Sequence, residues 1–151
     1  MFYFKTILTL LFSVGLLTTT GCANDESNVA NDVLNEDTND LDPANIVLSG
    51  SLVGQNAYIS RGDVELFFDS DTDTYSLVIN DLSSDDGPAL FVYLSQGPNA
   101  VNITNLGALK ALSGTIRYDF PASQFDPAHD HVLIWCRQVS RSFGAAELMT
   151  P

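Results

Sequence analysis

The sequence predicts an all-β fold, an antiparallel β-sandwich or barrel of about seven to eight short strands. Short runs rich in β-branched and aromatic residues alternate with turn residues throughout the last two thirds of the chain. We find no internal repeat and no long amphipathic helix pattern in this part. Residues 45–151 therefore predict one domain of roughly a hundred residues, which is enough for a single hydrophobic core.

The predicted strands follow one another at short intervals. The turn Ser70-Asp71-Thr72-Asp73 separates two of them and indicates a hairpin. Residues 106–112 fit either a further strand or a helical turn, and both alternatives stay open. The strands are predicted at residues 46–52, 64–69, 74–80, 90–94, 114–120, 132–136 and 142–148.

The most apolar run is Val132-Leu133-Ile134-Trp135-Cys136, which is typical of a strand buried on both faces. Since successive side chains of a strand point to opposite sides, Val132, Ile134 and Cys136 should share one face. His131, Leu133 and Trp135 should share the other. Trp135 is the only tryptophan in the chain.

Residues 1–21 are typical of a lipoprotein signal peptide. Lys5 is followed by a short apolar run, and Thr19-Thr20-Gly21 stand directly before Cys22. This pattern resembles a bacterial lipobox, although Thr19 replaces the usual Leu, and the resemblance implies that Cys22 carries lipid. The alternative is an ordinary secretory peptide with a chance cysteine. We expect a protein of the bacterial cell envelope, lipid-anchored in the outer membrane or at the cell surface.

Residues 22–44 predict an acidic, disordered linker, because they contain seven Asp or Glu and no Lys, Arg or aromatic residue. The whole chain has 6 Lys+Arg against 19 Asp+Glu, and removal of Lys5 leaves 5 − 19 = −14. Such a chain lacks the basic face that nucleic-acid binding requires. We expect repulsion from anionic headgroups, so that membrane contact rests on the anchor at Cys22.

Two groups of residues resemble metal ligands but fit poorly, and we predict no metal site. Asp69, Asp71 and Asp73 match the first ligand positions of a calcium-binding loop, but the later glycine and glutamate of that loop are missing. His129 and His131 lie near Cys136, yet His131 and Cys136 should point to opposite faces of the strand.

The remaining chemistry rests on Cys136. If Cys22 carries lipid, Cys136 has no partner for an intramolecular disulfide. A free cysteine is often only a small buried hydrophobe. Arg117 and Arg141 on other predicted strands could lie near the thiol and favour its thiolate form. Burial among Val132, Ile134 and Phe143 would oppose ionisation.

Three segments of the chain, taken in order, carry the pattern of one known family. The first segment is Gly87-Pro88-Ala89-Leu90-Phe91-Val92-Tyr93-Leu94-Ser95. The second is Leu106-Gly107-Ala108-Leu109-Lys110 with Ser113-Gly114-Thr115-Ile116-Arg117-Tyr118-Asp119-Phe120-Pro121. The third is Val132-Leu133-Ile134-Trp135-Cys136 with Phe143-Gly144-Ala145-Ala146-Glu147-Leu148. In their order and spacing they resemble the electron-transfer DM-thirteen domain, an all-β extracellular module, and the likeness covers about Ser49 to Leu148.

The resemblance implies a redox or electron-transfer role through Cys136, with the thiol either bare or bound to haem, and with an unidentified redox partner. It implies an electron carrier rather than an enzyme. The alternative is an extracellular binding or adhesion module in which Cys136 is only a core residue. Such a module would bind its ligand through loops 83–87, 96–101 and 122–130. The polar and stacking side chains available for this are Tyr93, Asn99, Asn102 and Asn105. An exposed Cys136 would favour the first function, and an enclosed one the second.

Overall fold

The computed structural model of this protein describes residues 33–151, which form nine β-strands. Two single turns of 3-10 helix lie at Pro43–Asn45 and Ala122–Gln124. The strands are β1 Val33–Asn35, β2 Ile46–Gly54, β3 Ser60–Asp69, β4 Thr74–Ser84, β5 Leu90–Gln96, β6 Val101–Ala108, β7 Ser113–Pro121, β8 His131–Cys136 and β9 Arg141–Glu147.

All nine strands belong to one sheet in the order β1-β7-β4-β3-β2-β9-β8-β5-β6. Every pair is antiparallel except β1 and β7, which run parallel. The all-β prediction is confirmed. The sheet curls into a half-barrel instead of splitting into two facing sheets. Its far edges approach each other where the Tyr118 hydroxyl donates to the carbonyl of Ala108 at 2.9 Å.

The core fills the concave side of the curled sheet. Alternating residues of the strands point inward and pack into one cluster, as the period of two requires. This burial of apolar surface is the main favourable term in folding. The inward-pointing side chains include Val64, Leu66, Leu77, Ile79, Leu90, Val92, Leu94, Ile116, Tyr118, Phe120, Val132, Ile134 and Cys136.

Strand β8 lies between β5 and β9 and is covered on both faces. Val132, Ile134 and Cys136 join the core cluster, while Leu133 and Trp135 join a smaller cluster on the outer face. The predicted division of this strand into two faces is therefore confirmed. Cys136 is the Cα partner of Leu90 on β5 and of Arg141 on β9.

The structure differs from the predicted linker over residues 33–44, whereas residues 22–32 lie outside the described part. Strand β1 pairs with β7, and the Glu36 carboxylate accepts hydrogen bonds from Lys110 Nζ at 2.8 Å and from the Arg117 backbone N–H at 2.6 Å. Arg117 also donates to Asp40 at 2.6 Å, which holds the pKa of that carboxyl below its usual value. The acidic composition suggested disorder, but these carboxylates bind cations of the domain.

Several strands are longer than predicted. Strand β3 begins at Ser60 and β4 ends at Ser84, because bulges at Gly62 and Asp81 allow pairing to continue. Residues 106–108 are the end of β6, which begins at Val101, and residues 109–112 form an irregular segment. The segment's Leu109 and Leu112 are buried in the core.

The half-barrel has two ends, and hydrogen bonds join the connecting segments at each. At the "Cys136 end", segments 55–59, 85–89, 109–112 and 137–140 are bonded to one another or to neighbouring strands. At the "opposite end", the turn 70–73, the turn 97–100 and the loop 122–130 meet, for example where Ala122 donates to Asp73. No helix within residues 33–151 is long and apolar enough to cross a membrane.

Candidate functional site

Cys136 lies at the last position of β8, directly before the turn 137–140. Its side chain points into the core, and the residue is 0% exposed. The Sγ–H donates to the backbone carbonyl of Pro88, with 2.8 Å between sulfur and oxygen. Cys136 is the only cysteine of the described residues and forms no disulfide. The thiol is therefore enclosed and hydrogen-bonded, which is the arrangement that favours a core residue.

A single turn closes over this sulfur. We call residues Asp85 to Ala89 the covering turn. Its ends are fixed, since Asp85 exchanges hydrogen bonds with Ile59 and the carbonyl of Ala89 accepts from the Arg137 N–H at 3.1 Å. Ala89 has a φ of 57°, in the left-handed region that reverses the chain. Pro88, whose carbonyl holds the thiol, is itself exposed to solvent. The sulfur therefore lies against the backbone of a turn that reaches the surface.

Phe143 supports the covering turn from below. A Cβ added to Gly87 would lie 2.7 Å from two ring carbons of Phe143, so only glycine fits against this ring. Tyr58 stacks on Phe143 with ring centroids 3.6 Å apart and 9° between the planes. Phe143 is buried, so its ring has little room to move aside. The position of the turn, and with it the enclosure of Cys136, therefore depends on this aromatic contact.

The predicted cations do not surround the thiol. Arg117 is bound to Asp40 and Asp119 through its guanidinium. Arg141 is exposed, although it is the register partner of Cys136. The neighbouring Arg137 crosses to the outer face, where its guanidinium lies 3.5 Å from the Phe91 ring centroid and its Nε donates to the Tyr93 hydroxyl at 2.6 Å.

The surroundings of Cys136 do not fit a haem. The sulfur has no exposed surface and already has a hydrogen-bond partner in Pro88. Neither of two surface depressions, of about 820 and 110 Å³, is lined by Cys136. Within residues 33–151, no three His, Cys, Asp or Glu side chains are grouped so that they could hold a metal ion.

The two histidines are placed by hydrogen bonds. His129 is 3% exposed and connects two elements, because its Nε2 lies 2.7 Å from the carbonyl of Asn102 and its Nδ1 accepts from the Asp126 N–H. His131 Nδ1 lies 2.7 Å from the Asp130 carboxylate. In the turn 70–73, Asp69 accepts from the Asp71 N–H and the Thr72 hydroxyl, as a hairpin turn commonly does.

The loops of the predicted binding module do not converge on one site. Loops 96–101 and 122–130 meet at the opposite end, where Gly97 donates to Asp130 and Asn102 donates to Asp126. Loop 83–87 lies at the Cys136 end. Tyr93 is 3% exposed, so its ring is not available to stack on a sugar.

Sequence reasoning placed Phe143 near the thiol, and both residues do belong to the core cluster, but it missed the covering turn. Gly87 and Pro88 are far from Cys136 along the chain, and only the register of β5 with β8 brings them close to it. One local signal was present, since Asp86-Gly87-Pro88 is a turn sequence directly before the apolar strand that pairs with β8.

Fold and site together define a small all-β domain with one enclosed thiol at the end of a central strand. The sequence model of the electron transfer DM13 family matches residues 52–148. The chain therefore belongs to the electron transfer DM13 family. No curated protein and no solved structure matches the chain.

Proposed function

We propose that this protein is a lipid-anchored envelope protein whose DM13 domain works in electron transfer through the thiol of Cys136. Family membership supports a redox role in general terms. The observation that carries the assignment to this residue is its position, since the domain's free thiol is held 2.8 Å from the carbonyl of a solvent-exposed turn residue, Pro88. Displacing one turn uncovers the sulfur without unfolding the sheet.

The chemistry that a lone thiol supports is exchange with a partner disulfide. The thiolate of Cys136 attacks one sulfur of that disulfide, and a mixed disulfide forms as the partner's S–S bond breaks. Cys136 is oxidised, and the released partner thiolate takes up the proton that Cys136 lost. Enclosure beneath the covering turn protects the thiol from stepwise oxidation to sulfinic and sulfonic acids between encounters.

A second candidate function is a binding or adhesion module in which Cys136 only packs the core. The complete burial of the thiol favours it. The reactivity of the native thiol separates the two, whereas the stability of Cys136→Ser does not. Cys136→Ser places a hydroxyl in an apolar site and should lower the unfolding free energy by about 1–3 kcal/mol under either function. Under the redox proposal, the native thiol also forms a mixed disulfide with an aromatic disulfide reagent while the domain stays folded.

The measurement pairs the thermal midpoint of Cys136→Ser with the exchange reaction of the native protein. A native thiol that stays unreactive until the domain unfolds would defeat the redox proposal, whatever the midpoint of Cys136→Ser. That result would leave Cys136 as a packing residue of a binding module.

The anchor at Cys22 is a separate part of the proposal and needs its own test. Small residues before Cys22 and an apolar run before them support it. In Cys22→Ser the acyl chains have no sulfur to attach to, so we expect the protein to move from the membrane pellet to the soluble fraction. Cys136→Ser serves as the control and should stay in the pellet. An unchanged distribution of Cys22→Ser would show that lipid at this residue does not hold the protein.

A further inference from the structure

One described segment lies between the proposed anchor and the part of the chain that matches the family. We call residues 33–42 the strap. It consists of β1 and the irregular residues that follow it, and it ends directly before the 3-10 turn Pro43–Asn45. The family model matches the chain only from residue 52, so the strap lies outside the matched domain.

Two carboxylates hold the strap to the sheet. Glu36 accepts hydrogen bonds from Lys110 Nζ and from the Arg117 backbone N–H, and Asp40 accepts from the Arg117 guanidinium. Among the described residues, this last bond is the only hydrogen bond that joins residues 37–42 to a strand. The strap therefore depends on Glu36 and Asp40 for its position.

The other contacts of the strap bury little apolar surface. Val33 is 66% exposed, and within the described part of the chain Leu34 is the one strap side chain that packs against the core cluster. Ion pairs at the surface contribute little stability, because water and salt screen them. A segment with few buried apolar contacts opens at a lower free energy than the sheet beside it. We therefore expect the strap to open while the sheet stays folded.

The strap also decides where the chain from Cys22 joins the half-barrel. While the strap is closed, the joining point is Val33, which pairs with Ser113 at the Cys136 end. Once it opens, the joining point is Pro43, in the 3-10 turn before β2, and the first residue of β2 pairs with Phe67 near the opposite end. Opening therefore moves the point of attachment from one end of the half-barrel to the other.

The two joining points differ in how far the Cys136 end can move from the anchor. From Cys22 to Val33 there are 33 − 22 = 11 peptide steps, which span at most about 40 Å. From Cys22 to Pro43 there are 43 − 22 = 21 steps, which span at most about 75 Å. The length of the half-barrel adds about 30 Å, since β4 alone has 11 residues. Opening thus extends the reach of the corner at Ser113 from about 40 Å to about 105 Å.

We propose that the strap is a releasable clasp that sets how far the Cys136 end can move from the membrane. This inference rests on the proposed anchor at Cys22. In the closed state, Glu36 and Asp40 bind Lys110 and Arg117, and the end that contains the thiol stays near the bilayer. In the open state, the covering turn over the thiol can meet a redox partner that lies far from the bilayer.

The first test is amide hydrogen exchange of the full lipidated protein in phosphatidylcholine vesicles, followed by mass spectrometry. Glu36→Gln with Asp40→Asn removes both ion pairs. We expect the exchange of residues 33–36 to become at least about 10-fold faster, because a hydrogen bond to a charged group contributes that factor or more. The amides of β4, in the middle of the sheet, should keep their native rates.

Asp37→Asn with Asp42→Asn is the matched control, since it removes the same charge from the strap. These two carboxylates accept hydrogen bonds from the backbone N–H groups of Asn39 and Ala44, which are local contacts. Exchange of residues 33–36 should therefore stay at the native rate in this control. Equal rates in the two double variants would overturn the clasp.

A second measurement tests the reach of the domain. In the open variant, Leu34→Ser is added to Glu36→Gln and Asp40→Asn, so that the apolar contact and both ion pairs are lost. Residues 33–36 of this variant should exchange as fast as an unprotected peptide. Protection that persists in the open variant would show that other contacts hold the strap, and would also overturn the clasp.

Resonance energy transfer to a labelled phospholipid then reports the distance from the bilayer. The donor dye is attached to Val139→Cys at the Cys136 end or to Asp71→Cys at the opposite end. Cys136 is buried and Cys22 acylated, so the dye goes to the introduced thiol. In the open variant we expect the transfer from Val139→Cys to fall, and the transfer from Asp71→Cys to change less, because its end becomes the attached one.

Failure of the anchor and failure of the clasp are distinguishable. If the protein does not float with the vesicles, the anchor is absent and the proposal about reach falls with it. If the protein floats and the open variant has lost its protection, but the transfer from Val139→Cys is unchanged, the anchor stands and the strap does not set the reach.

Discussion

Phe143→Ala is expected to lower the unfolding free energy by about 3–5 kcal/mol, the largest loss that we predict for a single substitution. The ring is buried, stacks on Tyr58 and supports Gly87, so its removal leaves a cavity beside both of these contacts. The surrounding strands belong to one hydrogen-bonded sheet and can close such a cavity only in part. Thermal unfolding should show a midpoint lower by roughly 10–20 °C.

Val139→Ala is the control for Phe143→Ala, because Val139 lies in an exposed turn and its truncation should change the unfolding free energy by no more than about 0.5 kcal/mol. If Phe143→Ala also lost less than about 1 kcal/mol, the ring would not be the support of the covering turn. The account of how Cys136 is enclosed would then be wrong.

Gly87→Ala is expected to give the largest increase in the reactivity of Cys136. The added Cβ would lie 2.7 Å from the Phe143 ring, and a buried ring yields less readily than an exposed turn. Overpacking of this kind destabilises the closed conformation of the covering turn by about 1–3 kcal/mol. The covering turn should therefore open more often. Because opening precedes exchange, the rate of mixed-disulfide formation should rise by about 5- to 150-fold.

Gly97→Asn is the matched control for Gly87→Ala, since nothing lies within 4 Å of a Cβ at Gly97 and its φ of 76° is one that asparagine tolerates. Its exchange rate should equal that of the native protein. An unchanged rate in Gly87→Ala would mean that the covering turn does not control access to the thiol.

Local patterns predicted much of the sheet. The apolar run 132–136 predicted both β8 and the face of each of its residues, because alternation along a strand is a property of the strand itself. Strand β6 was predicted only in part, since Asn102, Asn105 and Gly107 interrupt its β-rich pattern. Its pairing with β5 supplies the stability that its own residues lack.

Long-range pairing accounts for what the sequence did not predict. The composition of residues 33–44 predicted a solvated acidic segment. Only the fold brings Lys110 to Glu36 and Arg117 to Asp40. The enclosure of Cys136 likewise depends on a contact with Pro88, 48 residues away along the chain. No spacing within the sequence indicates such contacts.

The most direct test of the redox proposal is the rate at which native Cys136 exchanges with an aromatic disulfide reagent, measured at increasing urea below the unfolding transition. Opening of the covering turn alone exposes little surface, so we predict exchange of the folded protein with a slope against urea near zero. Exchange that occurs only with the full urea dependence of global unfolding, about 1–3 kcal/mol per molar, would contradict the proposal. The thiol would then never be available to a redox partner in the folded domain.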